Sequence, residues 1–413
     1  MRNKINILHF LTTLNEESWL YKLHVYLNKT KKFNSKIVCM KNKTNNKKVY
    51  EINKKNKIIR RKYEAFIEKI LFYKTKKVPF SSGFFGIDIT QMDEIETLIE
   101  MNDILFIHWI NGNFLSLNDI KLMNNLNKKK LIWRFYDSWP FTGGCHVRMG
   151  CENYLHGCVN CPYFKFKKMI NLPNKIYKKK HSLFSEEKFN IIVPSNYIRD
   201  KAAKSFFSYD DIKVINNGVK TIFTKNKEGL KNKYNLSNKK KYILFGATDI
   251  NLSYKGLKYL KKAIQNLNFK PQNVEIITFG KKSKEFKNIK YNIHNMGYIN
   301  SRQKLMEIYR LSDVFVGPSL EESFGNVFLE SISAGLPCVI FENTGAATDI
   351  IEHKYNGYIA RYKDYNDLRK GIEYILNSNK NFCDNCYNTV KDKFLLNYIL
   401  NEYITYFKKI LQY

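Results

Sequence analysis

The chain predicts an α/β fold of two doubly wound parallel sheets in tandem, and three observations carry that prediction. Short, apolar, β-rich runs recur with helical stretches between them, which is the pattern of parallel strands covered by helices. The runs fall into two series separated by a polar, lysine-rich interval. At 413 residues, 44% hydrophobic and 15% aromatic, the chain is too long for one ordinary core and apolar enough to build two.

The first series reads "INILHF", "SKIVCM", "DILFIHWI", "KKLIWRFYD", "FNIIVPS" and "IKVINNGV". The opening "MRNKINILHFLTTL" has a basic start, but Asn6 and His9 interrupt the apolar run and no small-residue cleavage site follows. It reads as a first strand and not as a signal peptide, so the expected location is cytoplasmic. No run approaches the eighteen or so apolar residues of a membrane span.

Seventy Lys and Arg against thirty-seven Asp and Glu leave a formal charge of +33. Between Lys29 and Lys77 there are eighteen basic residues and three acids, Glu51, Glu64 and Glu68. Inside that segment Tyr63, Phe66, Ile67, Ile70 and Leu71 recur at helical spacing among Arg60, Arg61, Lys62 and Lys69. A basic amphipathic helix of this kind suits an anionic membrane surface at the inner face of the plasma membrane. The alternative is a helix docked on its own domain with a solvated basic face. Nucleic acid is not the expected partner, since no recognised nucleic-acid motif accompanies the lysines.

Four cysteines, Cys145, Cys151, Cys158 and Cys161, fall within "CHVRMGCENYLHGCVNC". In a reducing compartment that density favours a closed, structural zinc site that braces a loop, with His146 or His156 able to replace a thiolate. Two disulfides or plain clustered thiols are the alternatives. Cys383 and Cys386 form a second, isolated C-x2-C.

The second series follows "KNKYNLSNKKK": "YILFGA", "VEIITFG", "NIHNMGYI", "DVFVGPS", "LPCVIFEN" and "NGYIA". The expected organisation is a first domain over 1–220 carrying the cysteine loop 145–161, a linker over 221–241 and a second domain over 242–394. A terminal helix over 395–413 crosses back to the first domain. Sheets of this kind bind ligands outside the carboxyl ends of their strands, so two facing domains would share a central cleft.

The stretch "GPSLEESFGNVFLESISAGLPCV" sets Glu322 and Glu330 on either side of a glycine-bearing turn. The turn delivers the chain into a helix from about Asn326, the expected N-cap, to Ala334, with Gly335 and Pro337 as stop signals. Free N–H groups and the helix dipole favour phosphate at that start, and Gly325 lets backbone approach. Glu330 lies about a turn into the helix, where a carboxylate can bind a vicinal diol such as a ribose. A nucleoside-diphosphate sugar has the matching order of groups.

These residues resemble the E-x7-E signature of glycosyltransferase family 4, the retaining enzymes of the GT-B fold. "VPSNYI", "VINNGV", "LFGA" followed by "YKG", "HNMGYI" and "TGAATDIIEHKYNGYIA" agree in order over most of residues 190–360. "HWINGNFLSL" and "DSWPFTGGCHVRMGCENYLHGCVNCPYF" resemble the branch that assembles bacterial surface polysaccharide, such as colanic acid, capsule or lipopolysaccharide. The resemblance implies a nucleotide sugar, UDP- or GDP-linked, as co-substrate and a lipid-linked or growing glycan as acceptor. It implies that Glu322 contacts the donor sugar and Glu330 the ribose, and that the amides of Phe324, Gly325, Asn326 and Val327 hold the diphosphate. Lys255 would neutralise the leaving phosphate, so no catalytic metal is expected.

Three departures accompany it. The family pairs that lysine with an arginine, none lies between Phe245 and Gly256, and Lys281 or Lys282 is the expected substitute. The glycine-rich loop after the first strand is replaced by "TTLNEESWLY". Where the branch has a histidine before Asp137, this chain has Tyr136, which hydrogen-bonds a hydroxyl but is a poor base near neutral pH. The alternative reading is a degenerate paralogue that binds nucleotide sugar and acts as a partner or scaffold of an active enzyme.

Overall fold

The computed structural model describes residues 4–52, 70, 96–112, 114–126, 130–164, 171–186, 189–220, 227–281, 286 and 288–411. It divides into two compact units, one of residues 1–194, 198–215 and 400–413 and the other of residues 195–197 and 216–399. Apart from Ile70, which is helical and exposed, the basic amphipathic segment lies outside the described residues.

The first unit is built on seven strands: β1 (Ile5–Leu14), β2 (Phe33–Asn42), β3 (Val49–Glu51), β4 (Ile104–Ile107), β5 (Lys130–Arg134), β6 (Asn190–Val193) and β7 (Ile212–Val214). All pair in parallel, in the order β3-β2-β1-β4-β5-β6-β7. β4 is buried at every position, as expected of a strand covered on both faces. The first helix, Trp19–Lys29, starts where the Ser18 hydroxyl accepts the Tyr21 amide, so Glu16 and Glu17 sit in an exposed turn outside it. From Leu400 on, the last helix belongs to this unit, with Tyr403 and Phe407 buried against Phe106.

The second unit has six parallel strands: β8 (Lys241–Gly246), β9 (Val274–Phe279), β10 (Ile293–Asn295), β11 (Val314–Gly317), β12 (Cys338–Phe341) and β13 (Gly357–Ala360). Their order is β10-β9-β8-β11-β12-β13. The strand order therefore reverses between β8 and β11, the place in such sheets where a crevice opens beyond the carboxyl ends. The core centres on Tyr309, Phe315, Phe328 and Ile340. Part of the interval expected as a linker, Lys227–Lys233, is a helix fastened into this unit. Lys227 pairs with Asp313 at 2.6 Å, and Lys233 with Glu307 at 2.8 Å.

Among the described residues no helix is long and apolar enough to cross a membrane.

Candidate functional site

At the reversal point, the loop after β11 and the turn after β8 are pressed together by backbone. Gly256 takes φ +71, and a Cβ there would overlap the Pro318 carbonyl oxygen. The Leu320 amide donates to the Tyr254 carbonyl at 2.7 Å. Between these two anchors sits the short 3-10 turn Ser253–Lys255, which aims Lys255 at the loop. Its Nζ lies 2.7 Å from Glu322 Oε2, with the two side chains 17% and 20% exposed. Burial alone would lower the Lys255 pKa. The Glu322 carboxylate and its hydrogen bond outweigh that and hold it above the ordinary lysine value.

The helix that follows runs Asn326–Ser333, and its N-cap is Gly325, not Asn326. The reason is steric, because the chain enters with φ +92 and a Cβ at 325 would overlap the Phe328 ring. With no side-chain cap, the Asn326 and Val327 amides have no acceptor among the described residues. Asn326 Oδ1 instead accepts from Asn217 Nδ2 at 2.8 Å. Phe324 is buried under the turn. Gly345 approaches from the next loop and its amide donates to the Glu322 carbonyl at 2.8 Å, while Ser195 Oγ donates to the Ser323 carbonyl at 2.5 Å. Glu330 lies on the helix with its Oε1 3.8 Å from Arg302, an arginine that sequence reasoning missed because it is 28 positions away on another helix.

Lys281, the expected substitute for the missing arginine, is engaged elsewhere by its nearest acid. It is 70% exposed and pairs with Asp249 at 3.4 Å. A cavity of about 800 Å³, lined by Lys227, Asp313, Pro337, Lys380 and Tyr387, lies at the amino ends of β8, β11 and β12, the opposite end of the strands from Lys255 and Glu322.

In the first unit the Tyr136 hydroxyl is engaged by His108 Nδ1 at 2.9 Å, whose Nε2 meets His9 Nδ1 at 3.1 Å. Burial pushes the phenol up to about 12, against the pull of Arg134. Burial, with the neighbouring His9 and Arg134, pushes His108 well below the usual histidine range. Tyr136 is thus locked into a buried polar chain. Asp137 is differently placed: its Oδ1 accepts the Trp139 amide at 2.9 Å, and its Oδ2 lies 2.6 Å from His146 Nδ1.

In the cysteine loop expected to bind zinc, as elsewhere among the described residues, no group of three or more His, Cys, Asp or Glu side chains is gathered to hold a metal ion, and no disulfide links the cysteines. The loop is braced by Lys180, fully buried, whose ammonium donates to the carbonyls of Trp139 at 2.5 Å and Thr142 at 3.0 Å and lies 3.4 Å from the Trp139 ring centre. Burial pulls Lys180 down to about 7, although Cys158, Asp137 and Cys145 act to raise it. Burial likewise pushes the Cys158 thiol up to about 12.

Two tandem parallel sheets, with uncapped helix amides and a partly buried Lys–Glu pair at a strand-order reversal, define a GT-B type fold. The glycosyltransferase from Rickettsia africae ESF-5 superimposes with a TM-score of 0.64 at 15% identity over 99% of each chain. HepE of Anabaena, in complex with UDP and glucose, gives 0.63 at 12% identity, covering 98% of this chain and 100% of HepE. Residues 226–393 match the model of the family described as glycosyl transferases group 1. The match covers about two fifths of the chain, all of it within the second unit. WcaC of Escherichia coli K12, named as a candidate colanic acid biosynthesis glycosyl transferase, is 26% identical over 259 residues, 60% of this chain and 62% of WcaC. Protein CapJ of Staphylococcus aureus is 27% identical over 273 residues, 60% of this chain and 64% of CapJ. The matched stretches thus span less than two thirds of these two relatives.

Proposed function

We propose that this protein transfers a hexose, with retention of configuration, from a nucleoside-diphosphate sugar to a lipid-linked or growing polysaccharide acceptor in cell-surface glycan assembly. The observation that carries the reading is the Lys255–Glu322 pair held beside the uncapped amides of Asn326 and Val327. The pyrophosphate lies against those amides and the backbone of Phe324 and Gly325. Lys255 turns from Glu322 to the phosphate as negative charge develops there, which assigns charge neutralisation to a side chain and not to a metal ion. Glu322 then accepts hydrogen bonds from the sugar hydroxyls, and Glu330 from the ribose. The anomeric carbon–phosphate oxygen bond breaks as the acceptor oxygen bonds to that carbon, and the acceptor's proton passes to the leaving phosphate. Alignment of the two reactants supplies most of the rate. UDP is the first carrier to test, because HepE was solved with UDP and glucose. The basic segment over 60–77 would hold the chain at an anionic membrane surface.

The test is to incubate the purified chain with a panel of UDP-, GDP- and ADP-sugars and a lipid extract, and to measure released nucleotide and labelled glycolipid. Release and labelling that disappear in Glu322→Ala support the proposal. Binding of a donor without release of nucleotide from any of them would favour the degenerate, binding-only paralogue.

A further inference from the structure

We propose that His146, oriented by Asp137 and joined by Asn111, forms a hydroxyl-binding site in the first unit, and that its ligand is a carbohydrate hydroxyl of the acceptor. The assignment of that ligand to an acceptor rests on the glycosyl-transfer reading above.

The site is built by the loop after β5. The Ser138 amide donates to the His146 carbonyl at 3.2 Å, Arg148 Nε donates to Ser138 Oγ at 3.1 Å, and Lys180 holds the Trp139 and Thr142 carbonyls from below. Gly143 permits the close return, since a Cβ there would overlap the Pro173 carbonyl oxygen. The loop therefore folds His146 back onto Asp137, nine residues earlier, at 2.6 Å. Asp137 cannot swing away because its other oxygen takes the Trp139 amide. A carboxylate on Nδ1 places the proton there and leaves the lone pair on Nε2.

That Nε2 is buried and finds no hydrogen-bond partner, and His146 is only 8% exposed. The loop after the neighbouring strand supplies a second such atom. Asn111, 5% exposed, has a buried Nδ2 with no partner, while Thr12 Oγ1 donates to its carbonyl at 2.7 Å and fixes the backbone. Trp109, two residues before it, packs its ring 5.8 Å from the His146 ring. Both residues follow the carboxyl ends of adjacent strands, β4 and β5. A buried polar group without a partner is unfavourable, so an acceptor on His146 and a donor on Asn111 are complementary to a ligand that brings the reverse. A hydroxyl donates to Nε2 and accepts from the amide at once. A carboxylate has no proton to give, and an ammonium has no lone pair.

The test uses the full chain with histidines labelled in the ring nitrogens, followed by NMR during titration with methyl α-D-glucopyranoside and methyl β-D-galactopyranoside. The His146 signals are assigned by their loss in His146→Gln. The expected result is an Nδ1-protonated His146 whose Nε2 resonance moves saturably with at least one glycoside. Asn111→Ala should weaken that affinity about tenfold. Asp137→Asn should lose both the single tautomer and the response, as a positioning residue would and a merely bracing one would not. An Nε2 signal unmoved by both glycosides, or a response undiminished in Asn111→Ala, overturns the inference. UDP binding, measured separately, keeps the two proposals distinct. UDP bound with His146 silent sinks only this site, and a glycoside response without any nucleotide binding sinks only the donor reading.

Discussion

Replacing Glu322 by glutamine should separate two roles of one carboxylate. In the unliganded protein Glu322 neutralises Lys255 at 2.7 Å. An effective dielectric near 20 puts the Coulomb attraction at roughly 6 kcal/mol. Desolvation and the residual exposure of both side chains reduce what stability can gain, so removing one partner should cost about 3 kcal/mol, the low end for a buried pair. Because the lysine pKa is held above its ordinary 10.5, that contribution is complete below the ordinary value and fades as pH climbs through the raised one. The stability of the second unit is read from urea-dependent hydrogen exchange in peptides covering β8 and β11. A double-mutant cycle with Lys255→Met should give a coupling of about 2 kcal/mol. UDP without a sugar should bind Glu322→Gln about fivefold more tightly by calorimetry, because the phosphate no longer competes with a carboxylate for Lys255. Sugar transfer should nevertheless be abolished. Additive single-mutant effects together with unchanged or weaker UDP affinity would refute this account of the pair.

Gly325→Ala must place a Cβ on the Phe328 ring at φ +92, and chemical denaturation should show a loss of about 2–4 kcal/mol in the second unit. Gly256→Ala should displace the Lys255 turn from Pro318 and weaken UDP binding at least tenfold in the same calorimetric assay. Lys180, held near 7 when folded against 10.5 otherwise, disfavours the folded state below pH 7 and is progressively relieved up to about 10.5. Relative to Lys180→Met, the wild type should therefore gain several kcal/mol, on the order of 4, over that interval in pH-dependent denaturation, and a flat difference would contradict it. Chelation with EDTA should leave the melting of the first unit unchanged if the Lys180 contacts brace the cysteine loop unaided, and a large drop would support the structural zinc expected from the four cysteines.

The sequence alone determined the two series of parallel strands, because burial on both faces forces apolar runs whose order is visible along the chain. It also placed Gly325 and Glu322 in a loop between a strand and a helix, since those signals are local in composition and spacing. The cap at Gly325 instead of Asn326 was decided by tertiary contact, the Phe328 ring under the turn, which no propensity encodes. Lys255 reaches Glu322 across 67 positions only because Gly256 and Pro318 touch. The same holds in the first unit, in the loop that carries the four clustered cysteines. The Asp137–His146 pair appeared only once Lys180 and Gly143 had closed that loop. Periodicity records what each segment buries, whereas a hydrogen bond between distant residues depends on where the packed backbone brings their side chains.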